Sequence, residues 1–173
     1  MTATHPPLVA DISEISKELE RIEESAKYSS QCQFEQAKFW RGVNLAIGAP
    51  ASALAALAGA TALADTGGRV AAGVIALTAA GLGAIATSLN AAQRVEQAQA
   101  AGNLYLSLQS DARVARLVDL ESAAEDEARS ALADLRSRQD DVNQGSALPS
   151  FYAYYRAKRN INKDRQNYAA DDD

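Results

Sequence analysis

The sequence predicts an all-α membrane protein: a two-transmembrane antiparallel helical hairpin, with long cytoplasmic helical extensions that form a small bundle. Three observations lead there. The chain carries 17 Lys and Arg and 22 Asp and Glu, yet between Gly42 and Gln93 only Asp65 and Arg69 are ionisable at neutral pH. That stretch divides into two uncharged runs, 42–64 and 70–93. At a rise of about 1.5 Å per residue, each is long enough to cross a hydrocarbon core of roughly 30 Å. Finally, only Asp65-Thr66-Gly67-Gly68-Arg69 joins the runs. A connector so short and glycine-rich reverses the chain without holding structure of its own, so the flanking helices are antiparallel neighbours.

Taken in order, residues 1–10 read as a disordered tail, which holds the lone histidine, His5. Residues 11–41 form a helix: Ile12, Ile15, Leu19, Ile22 and Ala26 recur at alternating spacings of three and four, and Asp11 with Glu14 makes a capping box. This helix runs directly into transmembrane helix 1, residues 42–64. A short extracytoplasmic loop, 65–69, leads to transmembrane helix 2, residues 70–93. A long cytoplasmic helix follows over 94–143, with Leu104, Leu108, Val114, Leu117, Ala124, Ala128, Ala131 and Leu135 as its apolar side and a bend at Gly102-Asn103. Its first half packs antiparallel to the 11–41 helix. Gln144-Gly145-Ser146 ends it, a C-terminal helix occupies 149–168, and 169–173 is an acidic tail.

A soluble, alanine-rich hairpin buried in a bundle is the rival reading, since alanine is nearly neutral toward insertion. Two features favour the bilayer. Neither run has the polar stripe of a soluble amphipathic helix. The boundaries also carry interfacial residues: Lys38, Trp40 and Arg41 before the first run, Arg69 in the connector and Arg94 after the second. Lys38 and Arg41 outweigh Arg69, which Asp65 offsets, so both ends face the cytoplasm. Met1–Arg41 has no apolar core at its start and is not a secretory signal.

Within the spans, small residues allow the close backbone approach on which helix association in lipid depends. Gly48, Ser52, Ala56, Ala60 and Ala64 recur every fourth residue on the first helix, with Gly59 nearby. Ala72, Ala76, Ala80, Ala84 and Ser88 do so on the second, beside Gly73, Gly81 and Gly83. Such ridges either zip the hairpin or let several hairpins assemble. Pro50 removes a backbone hydrogen bond and kinks the first span, more simply as a structural feature than as a gate. Asn44, Thr61, Thr78, Thr87 and Asn90 are candidates to line a weakly selective pore, and can equally bond to helix carbonyls. No ionisable group lies within either span, which argues against a proton relay, an ion-coupled transporter or a voltage sensor.

In the last helix, Phe151, Tyr152, Tyr154 and Tyr155 precede Arg156, Lys158, Arg159, Lys163 and Arg165. The simplest reading packs these aromatics on the long helix and leaves the charges in water. The functional one makes Tyr152, Tyr155, Arg156 and Arg159 a contact for a membrane interface or for an acidic or nucleotide-like partner.

The formal net charge of −5 argues against direct nucleic-acid binding and against simple adhesion to anionic lipid. With Cys32 the only cysteine and one histidine, no intrachain disulfide, metal site or nucleophile–histidine pair is expected, and neither is a cofactor or an enzyme activity.

Several short segments, in order, resemble the SLATT domain, the SMODS- and SLOG-associating two-transmembrane effector domain. They are Tyr28-Ser29-Ser30 and Ala37-Lys38-Phe39-Trp40 before the first span, then Ile47-Gly48-Ala49-Pro50 and Leu57-Ala58-Gly59 within it. Arg69 opening the second helix and Leu104-Tyr105-Leu106-Ser107-Leu108 complete the set, which covers roughly Ile15–Ala115. The resemblance implies a pore-forming effector of bacterial antiviral defence: a homo-oligomer in the inner membrane that perforates or depolarises it when triggered. The partners it implies are a messenger-synthesising nucleotidyltransferase, a SLOG-type sensor or a reverse transcriptase. The residues alone also allow a membrane-anchored oligomeric scaffold or a holin-like protein.

Overall fold

The computed structural model describes residues 12–64 and 69–161, and all regular structure among them is helical. The first helix, α1, runs unbroken from Ile12 to Ala64 and passes through Pro50. Helix α2 spans Arg69–Leu89, α3 spans Ala91–Val114, and α3 continues into a π-helical turn over Ala115–Asp119. Helix α4 spans Glu125–Gly145 and α5 spans Phe151–Ile161. The expected tails at 1–10 and 169–173, the Asp11 cap and the loop residues 65–68 lie outside the described residues, as does the side chain of Arg69.

One core organises the charged half. Ile15, Leu19, Ile22 and Ala26 of α1 are buried with Leu108 and Ala112 of α3, Ala115 of the π turn, and Ala128 and Leu135 of α4. The alternating three- and four-residue spacing aligns the α1 members on one stripe, as the sequence requires. Helix α3 runs back along α1 in the opposite sense: Trp40 meets Arg94, Phe34 meets Gly102, and Glu23 meets Arg116. At Gly102 the helices approach so closely that an added Cβ would lie 2.8 Å from Phe34 Cε1. The glycine expected to bend the helix is instead the point of closest packing within a continuous α3.

Two boundaries differ from expectation. The second apolar run does not continue as helix to residue 93: α2 ends at Leu89, and Asn90 takes a left-handed conformation with φ 47° and ψ 41°. Asparagine tolerates this region better than most residues. The expected single helix over 94–143 is also divided. Leu120 N–H donates to Ala115 O at 2.9 Å, five residues back, and this wider turn leads into a reversal that ends at an extended Ala124. Folding α4 back brings Ala128 and Leu135 onto α1 (straight continuation would carry them into solvent). Leu104, Val114 and Leu117, expected on the apolar side, are exposed, while Ala101, Tyr105, Leu108 and Ala112 face the core.

Polar contacts fix this arrangement. Arg116 bonds Glu23 at 2.9 Å, Arg138 bonds Asp111 at 2.7 Å, and Tyr105 OH donates to Asn143 Oδ1 at 2.8 Å. The segment before α5 is held on α1, where Gln33 Nε2 donates to Ala147 O at 2.9 Å and Ser150 N–H donates to Gln36 Oε1 at 3.1 Å.

The apolar half of the chain is different. Two helices are long and apolar enough to cross a membrane. In their most apolar windows only 6% and 11% of residues are buried, where the core helix of a soluble protein would be mostly covered. Helix α2 packs on the second half of α1 with Ala58, Ala72 and Ala79 buried, while Leu45, Leu57, Leu63, Val70, Val74 and Leu77 stay exposed.

Candidate functional site

The region of most varied chemistry lies where the charged and apolar halves meet. Trp40, two residues before the uncharged run, carries the Arg94 guanidinium 4.7 Å from its ring centroid, while Arg94 Nε donates to Leu89 O at 3.1 Å. Arg94 therefore bridges the end of α2 and the face of α1 across the Asn90 break. Stacking on an indole face is favourable for a guanidinium, all the more where water is scarce. Phe39 meets Trp40 edge-on at 5.5 Å and Tyr152 of α5 at 5.7 Å. Phe39 and Trp40 of α1 thus meet Tyr152 of α5 and Arg94 of α3 at one level.

Just above this level, Glu35 is buried, with 2% of its side chain exposed. It receives Lys38 Nζ at 2.7 Å and Asn160 Nδ2 at 3.0 Å, and Arg156 Nε lies 3.3 Å from its other oxygen. That last contact is an ion pair without hydrogen-bond alignment, which leaves the buried Nε without a directed acceptor. A buried carboxylate is tolerated only when paired and hydrogen-bonded, so Glu35 serves as a polar anchor for α5. Nothing in the sequence marks Glu35 out; Glu18 and Glu23 also pair with distant elements, and burial alone distinguishes Glu35 from them.

Beside Trp40 and Arg94, α1, α3 and the end of α4 border a half-open pocket of about 860 Å³. Its polar lining includes Gln33, Gln36, Gln97, Arg94 and Arg138, against an apolar floor of Ala98, Ala101, Leu104 and Leu108. The volume lies within the range of small-molecule sites. Two guanidinium groups and three carboxamides suit an anionic or carbonyl-bearing ligand, although Arg138 also pairs with Asp111 and Asp141 lies on the wall.

The small residues expected to pack the helices divide into two groups. Gly59, Gly73 and Ala80 line a furrow between α1 and α2, together with Ala55, Ala58, Ala62, Ala72, Ala76 and Ala79. Ser52, Ala56 and Gly81 are exposed and point elsewhere, and Gly48 and Gly83 are partly exposed. The buried contacts fall at Ala58 of α1 and at Ala72 and Ala79 of α2, the last two seven residues apart; of the four-residue row on α2, Ala72, Ala76 and Ala80 line the furrow while Ala84 and Ser88 are exposed. Helices packed near parallel meet along a seam of period about 3.5, so a strict four-residue row drifts off it.

Of the expected pore-lining groups, Thr61, Thr78 and Thr87 donate to the carbonyls of Leu57, Val74 and Gly83 at 2.9–3.0 Å, as Ser52 and Ser88 do to Gly48 and Ala84. Asn90 bonds Gln93, and Asn44 is exposed. At the boundary, Lys38 is engaged by Glu35 and Arg41 is exposed.

Helix α5 reverses the simplest expectation. Ala153 and Ala157 are fully buried against α1, whereas Phe151, Tyr152, Tyr154 and Tyr155 are all exposed. The small residues allow close approach, and the aromatics are displaced outward. Tyr152 and Arg156 are partly engaged, through Arg156 Nη1 donating to Tyr152 OH at 3.0 Å, while Tyr155 and Arg159 are open. Residues 162–168 of the expected helix lie outside the described residues. The chain matches no family model, no curated protein and no solved structure.

Proposed function

We propose that this chain is a two-transmembrane effector of a bacterial antiviral system. Its antiparallel hairpin spans the inner membrane with both termini in the cytoplasm, and hairpins assemble to form a pore or disrupt the bilayer. The observation that carries this reading is the thin seam between α1 and α2: alanines bury alanines along one line, and the remaining apolar surface is left for lipid and for further copies. Ser52, Ala56 and Gly81 lie on that remaining surface, where close approach of another helix meets no bulky side chain. A messenger nucleotide or a partner protein acting at the cavity beside Trp40 and Arg94 would touch both strands of the hairpin at their base. It would trigger assembly by favouring one arrangement of α1 and α3 over another.

A second reading, a membrane-anchored oligomeric scaffold, is favoured by one observation. The span hydroxyls direct their donors into their own helices and so offer little polar lining. Expression from a tight promoter, with and without candidate partners, separates the two. The effector reading expects carbonate-resistant membrane protein and loss of membrane potential, with Gly81→Leu still inserted but inactive. Full potential and normal growth with the trigger present would leave the scaffold.

A further inference from the structure

The contacts of α5 show how it lies. Ser150 meets Gln36, Tyr152 meets Phe39, and Arg156 and Asn160 both return to Glu35. Over those ten residues a helix advances about 15 Å, whereas Glu35–Phe39 covers about 6 Å of α1. Helix α5 therefore crosses α1 steeply instead of running beside it. Its two edges differ. One edge holds Tyr152 and Arg156, which border a groove of about 470 Å³ shared with Gly42, Val43 and Ala46, the first residues of the apolar half. The other holds Tyr154, which borders a cavity with Tyr28 and Cys32 in the charged half. Helical spacing puts Tyr155 and Arg159 next to the first edge, so Tyr152, Tyr155, Arg156 and Arg159 form one stripe.

We propose that α5 is a surface-lying lipid helix, its Tyr152–Tyr155–Arg156–Arg159 stripe seated in the headgroup layer of an anionic bilayer at the point where α1 enters it. The inference rests on the membrane-spanning reading of α1 and α2. The occupant is lipid because the stripe is continuous with the apolar half of α1 and level with Phe39 and Trp40. Tyrosine places an apolar ring and a polar tip where such a boundary needs both. The charge is complementary: α5 carries Arg156, Lys158 and Arg159 and no acidic residue, although the chain as a whole is acidic. Local basic clusters respond to the lipid surface within a Debye length, so the net charge of the distant bundle does not cancel them.

The test uses the full chain with Cys32→Ala and one new cysteine at Tyr155, Leu77 or Ala131, labelled with nitrobenzoxadiazole. Each is placed in vesicles of phosphatidylethanolamine and phosphatidylglycerol. All three positions are exposed, so the label displaces no packing. The expected result is a blue-shifted dye at 155, quenched by a nitroxide just beneath the headgroups, with 77 quenched by a deep nitroxide and 131 by neither. Adding Lys158→Gln and Arg159→Gln should lower the quenching at 155 at least about two-fold, since each cation near an anionic surface contributes. A dye at 155 as wet as that at 131, with 77 deep, overturns the inference while the spans stand, and would point to a protein partner for the stripe. Quenching at 155 indifferent to the two Gln substitutions overturns the anionic-lipid assignment. If 77 is wet, both readings fall together.

Discussion

Arg156 reaches Glu35 across the α1–α5 contact, its Nε 3.3 Å from a carboxylate oxygen that has almost no access to water. The pair joins α5, whose Phe151, Tyr152, Tyr154 and Tyr155 are exposed on either side of the buried Ala153, to the point where α1 becomes apolar. Removing the carboxylate takes away the ion-pair partner of Arg156 and the acceptor of Asn160. Glu35→Ala should weaken α5 docking by about 1–3 kcal/mol, the range for a hydrogen bond to a charged group, toward the lower end because Arg156 is itself 41% exposed. Trypsin cleavage after Lys158 or Arg159 reads this directly, at about tenfold in rate per 1.4 kcal/mol. Unchanged cleavage would mean that the alanine seam at Ala153 and Ala157 holds the helix alone.

Gly102→Ala offers a test with an unusual sign. In an open helix the change stabilises by about 1 kcal/mol through propensity. Here the new methyl would meet the Phe34 ring at 2.8 Å, so the structure expects a net loss of about 1–3 kcal/mol from overpacking. Chemical unfolding of the purified protein in detergent measures it. Combining it with Phe34→Leu should recover most of the loss, and a stabilised single variant would contradict the α1–α3 packing.

The Arg136 hydrogen bond holds the Glu18 carboxyl below its usual range, with the charge of nearby Arg21 adding to the effect and burial opposing it. A group whose folded value is depressed adds stability above its unfolded value and loses it as pH falls through the folded value. The wild type should therefore melt higher than Glu18→Gln near neutrality, and the two curves should converge in acid. Thermal melts across that range, followed by circular dichroism, check the sign. A gap that widens in acid would exclude a charged Glu18–Arg136 contact.

Burial raises the Cys32 thiol above its ordinary value and keeps it protonated. Maleimide labelling at mildly alkaline pH should be slow in the folded protein and accelerate when the bundle opens, because the thiolate is the reactive form. A rate equal to that of an exposed cysteine introduced at Ala131 would place Cys32 at the surface.

The α1–α2 seam predicts a contrast within the apolar half. Ala58→Leu and Ala72→Leu force bulk into buried positions and should cost about 1–3 kcal/mol of helix–helix packing. Ala56→Leu, which faces outward, should leave that packing intact. Cysteine cross-linking between the two helices in membranes distinguishes them, and equal effects would refute the seam.

Much of the architecture is legible in residue order. Charge exclusion from Gly42–Gln93 marks the apolar helices, and the Ile15–Leu19–Ile22–Ala26 stripe marks the α1 core face. What escapes is tertiary. The α3–α4 reversal follows no proline or glycine; it depends on a π turn whose value lies in delivering Ala128 and Leu135 to a distant helix. Small residues stand out in a sequence, but the side each presents depends on how the two helices are rotated against each other, so Ser52, Ala56 and Gly81 are legible as small residues but not as outward-facing ones. Aromatics in α5 read as core by their hydrophobicity, and only the two alanines facing α1 reveal that the helix is turned the other way.

The unbroken course of α1 makes the two legs of the molecule mechanically unequal. Its 53 residues form one helix about 80 Å long, which carries Glu35 and the apolar run on the same continuous backbone. The returning leg is articulated: at Asn90 the backbone leaves helical geometry at the depth where Arg94 grips Trp40. The first apolar helix is thus continuous with the charged bundle, whereas the second joins it through a backbone break that the indole–guanidinium contact spans.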